Sequence, residues 1–292
     1  MKTNNQLKWT GERLVTDETL GKGVIEHLHR YAFALSLIKR KNIADIACGE
    51  GYGSNLMANY ASSVVGIDIS TEAIEHAANK YKRPNLNFLN GSATAFPCKD
   101  NSMDAVVSFE TLEHHDKHDE MMLEIIRVLK NDGLLIMSTP EKENYRKIDS
   151  NNSFHVKELD FKEFSYLIKK YFSFHTFLAQ SYVHGSLIMS LDTDRSQTTE
   201  FNGNFESIQE NEFNKNRIYN IVVASNAVLP KDINNESFFN GVENLRISYD
   251  ARFAIAIQQN TQAIKQTTSY RLGNMIVKPL KRINSLLKKK QG

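Results

Sequence analysis

Four short stretches carry residue types at spacings that could do chemistry. The first is Asn42-Ile43-Ala44-Asp45-Ile46-Ala47-Cys48-Gly49-Glu50-Gly51-Tyr52-Gly53. An apolar run holding a carboxylate, Asp45, feeds a glycine turn. A second apolar run, Val64-Val65-Gly66-Ile67, ends in Asp68, nineteen positions after Gly49. Strand, glycine turn, helix and a second strand tipped by an acid make a nucleoside-binding half of a doubly wound sheet. The glycines would let backbone approach a ligand where a Cβ would clash, and Asp68 could accept both ribose hydroxyls. A dinucleotide fingerprint reads Gly-x-Gly-x-x-Gly and seats a pyrophosphate on the helix N-terminus. Here the glycines fall at 49, 51 and 53, so the third comes one place early, and Asp45 stands where an anion is unwelcome. A ligand with a ribose, a cationic end and no phosphate fits better, and S-adenosylmethionine is one. Asp45, Ala47, Gly49, Gly51, Tyr52, Asp68 and Ile69 are expected to bind it, the Gly49–Gly53 turn at its methionine end and Asp68 at its ribose.

Methyl transfer from a sulfonium is an in-line displacement whose leaving thioether is neutral. The protein must align the reactants and exclude water, and orientation can supply about 7–11 kcal/mol. A hydroxyl acceptor also needs a base, worth roughly 10²–10⁴-fold. The other three stretches are read for these roles. Asn90-Gly91-Ser92-Ala93-Thr94 has small residues that either reach an adenine edge or form a plain turn. In Ser108-Phe109-Glu110-Thr111-Leu112-Glu113-His114-His115, Phe109 could cover the cofactor. Glu110 and His114 are four apart and would share a helix face, where the carboxylate would raise the imidazole's basicity; the alternative is a helix N-terminus with a solvated histidine. In the loop from Thr139-Pro140 to Asn152–Glu158, His155 is the second candidate base. His114, His115 and His118 have spacings that metals accept, but no cysteine or acid set completes a site, so no metal is expected.

These stretches need elements to position them. Alternating patterns place strands at 43–47, 63–68, 85–90, 103–109 and 134–139, and helices at 23–39, 52–60, 71–81, 114–129 and 158–171. Ser70-Thr71 caps a helix, and Asn131-Asp132-Gly133 ends one before the fifth strand. Such alternation implies a parallel sheet with right-handed crossovers. Phe172–Met189 holds two strand-like runs and Ile218–Ala224 another. Residues 192–215 between them read as a polar loop or flap, and 245–266 as a helix. The organisation expected is a cap arm and helix over 1–40, the main domain over 41–229, and a linker with a helical tail over 230–292.

The Asp45–Gly53 turn, Trp9-Thr10-Gly11-Glu12-Arg13, Glu26-His27-Leu28-His29-Arg30-Tyr31, Ser108–His115 and Phe154–Leu159 together resemble one family. It is the type 11 branch of the class I S-adenosylmethionine-dependent methyltransferases, as found in bacterial O-antigen and capsule synthesis. The resemblance covers roughly residues 7 to 180. It implies a doubly wound α/β fold: a mostly parallel, seven-stranded, Rossmann-like sheet with a reversed last strand. It also implies an amino-terminal helix capping the cofactor, with Arg30 or His29 near the methionine carboxylate and Tyr31 near the sulfonium. Ser92 and Ala93 would meet the adenine; many relatives carry an acid at position 92, and this chain does not. The activity implied is methylation of a sugar or surface glycan, at oxygen, with a glycan or nucleotide sugar as acceptor and S-adenosylhomocysteine as product. Two alternatives stay open: N- or C-methylation of a quinone or amino sugar, and a non-catalytic scaffold for polysaccharide assembly.

Composition sets the remaining bounds. The chain has 292 residues, with 41% hydrophobic and 24% charged, an ordinary globular balance. Seven Lys or Arg and no acid lie in 271–292, which leaves −5 on residues 1–270 once they are taken from the net +2. Leu272, Met275, Ile276, Leu280, Ile283 and Leu287 recur there at helical spacing, and Pro279 interrupts them. Such a basic amphipathic helix suits an anionic membrane surface or a homo-oligomer, and the family resemblance implies a glycosyltransferase as a further possible partner. No nucleic-acid partner is expected. Two cysteines, Cys48 and Cys98, are too few for a disulfide framework. With no signal-like segment, a cytoplasmic setting is expected, peripheral at the inner membrane face.

Overall fold

The computed structural model describes residues 7, 13–16, 21–150, 152–183, 200–203, 207–211, 217–231, 233, 236–272 and 275. Trp9–Glu12 and nearly all of the basic tail fall outside them. The chain divides into two compact units, Met1–Phe239 and Asn240–Gly292.

The first unit is built on a seven-stranded sheet. Its strands are β1 (Asn42–Ile46), β2 (Ser63–Asp68), β3 (Leu86–Asn90), β4 (Met103–Phe109), β5 (Leu129–Pro140), β6 (Phe174–Gln180) and β9 (Tyr219–Ser225), in the order β3-β2-β1-β4-β5-β9-β6. β3, β2, β1, β4 and β5 pair in parallel, whereas β9 runs antiparallel to both β5 and β6. The strand that comes last in the sheet's sequence is thus the reversed one, as the family resemblance implies. β1, β4 and β5 are apolar runs because helices cover both faces of the sheet.

Each face has its own core. On one, Met121, Met122 and Ile125 of α4 (His118–Val128) and Phe164 and Ile168 of α6 (Phe161–Tyr171) pack on Val106, Leu135 and Val222. On the other, Tyr31, Phe33 and Ala34 of α1 (Lys22–Leu35) and Met57 of α2 (Tyr52–Met57) pack on Ile43, Val107 and Ile136. Three described helices start on side-chain caps, one of them the short turn at Lys142–Tyr145, where the Glu141 carboxylate accepts from the Asn144 N–H. The Ser70 hydroxyl accepts from the Ala73 N–H at the head of α3 (Thr71–Lys80), and Asp160 with Glu163 forms a capping box on α6. Cys48 and Cys98 are free thiols.

Several boundaries differ from the sequence pattern. The helix expected over 114–129 is a 3₁₀ turn, Leu112–His114, followed by α4. Asn131-Asp132-Gly133 lies inside β5, at an irregularity where Met103 pairs Leu129 but Ala105 pairs Leu134. The extra residues bulge out, which is how three turn-formers sit within a strand. Within the polar stretch read as a loop, β7 (Glu200–Gly203) and β8 (Ile208–Asn211) form an antiparallel pair. A four-residue helix, α5 (Lys142–Tyr145), follows β5. The second unit contains α7 (Val242–Gln266), on which Tyr249, Phe253, Ile255 and Ile257 are exposed.

Candidate active site

The glycine turn joins β1 to α2 through three left-handed residues: Ala47 (φ 55°), Gly49 (φ 56°) and Gly51 (φ 88°). A side chain in this region costs about 1–2 kcal/mol, which Ala47 bears. Asp68, at the tip of β2, accepts from the Gly49 N–H (2.9 Å) and the Ser70 N–H (2.8 Å), one bond to each oxygen. A carboxylate has about four lone-pair positions, so capacity for two hydroxyls remains. Next to it the Ile69 side chain is 76% exposed, and Asn90 ties the 90–95 turn to the Asp68 and Ile69 carbonyls. In that turn Ser92 bonds Thr94.

The glycines divide the labour differently from the sequence expectation. A Cβ on Gly51 would stand 2.7 Å from the Phe88 ring, and one on Gly53 1.9 Å from Tyr31 Cζ. Both positions serve packing, of α3 and β3 in one case and of α1 in the other. A Cβ on Gly49 would meet only the Arg13 side chain, at an ordinary 3.5 Å. Arg13 Nη2 is 4.0 Å from Asp68 Oδ1. Glu50, fully buried, fixes this arm: it accepts from the Thr16 N–H and hydroxyl and from Lys80 Nζ (2.7 Å). Sequence reading passed over Glu50 as one more turn residue.

Asp45 is buried and accepts from the Ser54 hydroxyl (2.5 Å), with the Tyr31 hydroxyl at 3.5 Å. Burial pushes its carboxyl up to about 7. Tyr31 stands edge-on to Phe109 (5.1 Å) and Tyr52 (5.6 Å), and the Tyr52 hydroxyl bonds His27 Nδ1 (2.7 Å). Arg30 is 1% exposed. Its Nη1 donates to Gln180 Oε1 (2.8 Å) and lies 4.0 Å from Glu110 Oε1, and its plane covers the Tyr219 ring at 4.7 Å. Its Nε and Nη2 have no partner among the described residues. A buried guanidinium with two idle donors is costly unless something anionic meets it. His29, by contrast, bonds Ser237 (2.9 Å).

The acceptor side corrects one expectation outright. Glu110 and His114 do not share a helix face, because Glu110 is left-handed (φ 53°) and the 3₁₀ turn starts two residues later. Glu110 instead accepts from the Ser138 hydroxyl and faces Arg30. The acid beside the histidines is Glu113, buried, with Oε2 accepting from Thr139 Oγ1 (3.0 Å) and Oε1 unpartnered among the described residues. Desolvation first, then the charge of Glu110, pushes its carboxyl well up. The Glu113 carbonyl accepts from the Val156 and Lys157 N–H groups, which pins the loop of His155 against it. His155 Nδ1 meets Glu158 Oε1 at 2.8 Å, and His114 Nδ1 meets the Phe154 carbonyl at 3.1 Å; the two rings stand edge-on at 5.4 Å. Glu113, His114 and His155 each bring a ligand atom within 4.8 Å of the others. His118 instead bonds the Leu112 and His115 carbonyls. The histidine set weighed from sequence is therefore not the one that converges.

Beside His155 a cavity of about 340 Å³ is lined by Lys142, Arg146, Asn152, Lys157 and Glu158. A larger hollow of about 520 Å³ is lined by Tyr81, Lys82, Arg83 and Phe88, between α3 and β3.

Residues 44–137 match the methyltransferase domain family. This stretch is similar to the domains of S-adenosylmethionine-dependent methyltransferases, whose donor is S-adenosylmethionine and whose product is S-adenosylhomocysteine. Among curated relatives, a "probable S-adenosylmethionine-dependent methyltransferase" of Mycobacterium tuberculosis is 30% identical over 165 residues, 56% of this chain and 60% of that one. A demethylmenaquinone methyltransferase of Renibacterium salmoninarum is 30% identical over 125 residues, 42% of this chain and 52% of that one. The chain thus spans between half and two thirds of the length of these relatives. A solved S-adenosylmethionine-dependent methyltransferase from Thermotoga maritima shares the fold at 17% identity and TM-score 0.51, covering 70% of this chain and 92% of that one.

The residues gathered here have the chemistry that S-adenosylmethionine would need. Asp68 keeps acceptor capacity for a ribose, Asp45 offers a carboxylate to a cation, and Arg30 holds idle donors for a carboxylate. Arg13, Glu50, Gln180 and Tyr219 complete this region and escaped the sequence reading. Gln180 and Tyr219 are brought in only by β6 and β9, over a hundred residues from the turn.

Proposed function

We propose that this protein methylates a hydroxyl of a sugar or surface-glycan acceptor. The bound donor supplies an electrophilic methyl on a positively charged sulfur. Asp68 holds the ribose hydroxyls, Ser92 and Ala93 border the adenine, and Arg30 receives the amino-acid carboxylate. Asp45 and Tyr31 face the cationic end, with Tyr52 and Phe109 walling it from water. Activation of the acceptor hydroxyl is assigned to the histidine cluster, with His155 held by Glu158 as the proton-accepting centre. The observation carrying the donor half is the buried Arg30 with two unpartnered N–H nitrogens. The cation-lined cavity beside His155 supports an anionic acceptor such as a nucleotide sugar or acidic glycan.

The names of relatives favour a second reading, a quinone or lipid acceptor, since one is a demethylmenaquinone methyltransferase and another a fatty-acid O-methyltransferase. Isothermal titration with S-adenosylmethionine, then transfer of radiolabelled methyl to panels of nucleotide sugars, glycans and quinols, separates the possibilities. Saturable donor binding with label in a sugar fraction supports the proposal. Label only in quinols replaces the acceptor, and absence of donor binding leaves the scaffold reading. The tail over 271–292 is assigned to docking on an anionic bilayer, and its deletion should abolish sedimentation with anionic liposomes. Among the described residues no helix is long and apolar enough to cross a membrane.

A further inference from the structure

We infer that Glu113, His114 and His155 bind a divalent transition-metal ion. One ligand atom from each lies within 4.8 Å of the other two. Metal–nitrogen and metal–oxygen bonds of about 2.0–2.2 Å put neighbouring ligand atoms about 3.3 Å apart in a tetrahedral site. Small side-chain rotations close that gap.

The protonation pattern around the cluster is that of a ligand set. The Phe154 carbonyl can only accept, so His114 carries its proton on Nδ1 and keeps the Nε2 lone pair. Glu158 does the same for His155. A partner that takes the far N–H of a histidine and fixes the ring is the usual second layer of a metal site. Thr139 plays this part for Glu113, binding Oε2 and leaving Oε1 unpartnered on a side chain 1% exposed. An idle buried carboxylate oxygen is destabilising on its own, and a dication offsets it. Asn152 Nδ2, 3.3 Å from His155 Nε2, donates there and would have to swing away.

Two imidazoles and one carboxylate select zinc-like ions over magnesium, which prefers an all-oxygen shell. Three protein ligands leave a position open, as in catalytic sites. The role there rests on the methyl-transfer reading above. The acceptor hydroxyl would fill the open position and become more acidic, and its proton would pass to water in place of His155, whose Nε2 lone pair the metal would then hold. The alkoxide oxygen then forms the bond to the methyl carbon as the sulfur–carbon bond breaks, with that electron pair staying on a neutral thioether.

Titration of the chelator-treated full chain with Zn²⁺, Mn²⁺ and Mg²⁺ tests this, with Co²⁺ as a spectroscopic probe. One Zn²⁺ per chain is expected, with Mg²⁺ at least 100-fold weaker. Co²⁺ should give visible absorption that is lost in His114→Ala/His155→Ala. Glu113→Gln should weaken Zn²⁺ at least 10-fold, and Glu158→Gln by about 10–100-fold. Donor affinity, measured separately, checks that each variant is folded. Absence of Zn²⁺ binding, binding unaltered in the variants, or a preference for Mg²⁺ overturns the assignment and leaves His155 as a direct base. Zn²⁺ binding without donor binding would keep the metal site while removing the methyl-transfer reading.

Discussion

The proposed donor and acceptor halves of the site lie along one rim of the sheet but are built by opposite means. The donor half, at the ends of β1 and β2, is nearly continuous in sequence, and backbone N–H groups do much of its work. Gly49 and Ser70 both donate from the main chain to Asp68. The acceptor half, beyond β4 and β5, is assembled from side chains brought from afar. Thr139 Oγ1 donates to the Glu113 carboxylate, and the His114 and His155 rings, some forty residues apart, stand edge-on. A site fixed by backbone depends on the fold itself. A site fixed by side chains can be rewritten residue by residue while the fold stays.

This contrast should break apart on mutation. The largest effect belongs to the acceptor half: His155→Ala should cut turnover by about 10²–10⁴-fold, with donor affinity within about twofold by calorimetry. Loss of both quantities together would mean the halves are not separable. Asp68→Ala should do the reverse, weakening donor binding by at least about 10-fold, since each hydrogen bond to a charged group is worth about 1.5–3 kcal/mol. Unchanged affinity would remove the ribose assignment.

Asp45 gives the donor half a pH signature. Its carboxyl is raised from 3.8 to about 7 when folded. Between these values the folded chain keeps a proton that the unfolded chain has released, so this group's contribution lowers stability as pH rises through the window. Asp45→Asn should therefore match the parent near pH 4 and exceed it at pH 8, by a few kcal/mol at most, in denaturant melts. A gap that narrows with pH would contradict the assignment. By the same logic, a cationic donor arriving at pH 6 should expel up to one proton, read as a dependence of titration heat on buffer ionisation enthalpy. The smallest effect is packing alone: Gly53→Ala must displace Tyr31 and should cost about 1–3 kcal/mol in unfolding free energy, with a milder loss of donor affinity.

The same contrast decides what could be read from sequence. The turn, Asp68 and the five parallel strands were legible because each is a local pattern of apolar runs, glycines and a terminal acid. Glu110 and His114 misled because i,i+4 reasoning assumes a helix, and one left-handed residue at Glu110 removes it. Glu113 and Glu158 sit beside the two histidines in sequence and could have been weighed. Gln180 and Tyr219 could not, since only the pairing of β6 with β9 delivers them. The role of Gly53 was hidden for a similar reason: its neighbour, Tyr31, comes from a different helix.

Because β9 is inverted, it is its beginning and not its end that borders the reactive rim. The Ile218 N–H bonds the Gln180 carbonyl, so the chain leaves the sheet and rejoins it at adjacent points there. Whatever sequence joins these two points, of any length, is anchored at both feet next to Arg30 and Tyr219. Evolution can therefore lengthen, shorten or replace that span while the hydrogen-bond ladder beneath stays untouched.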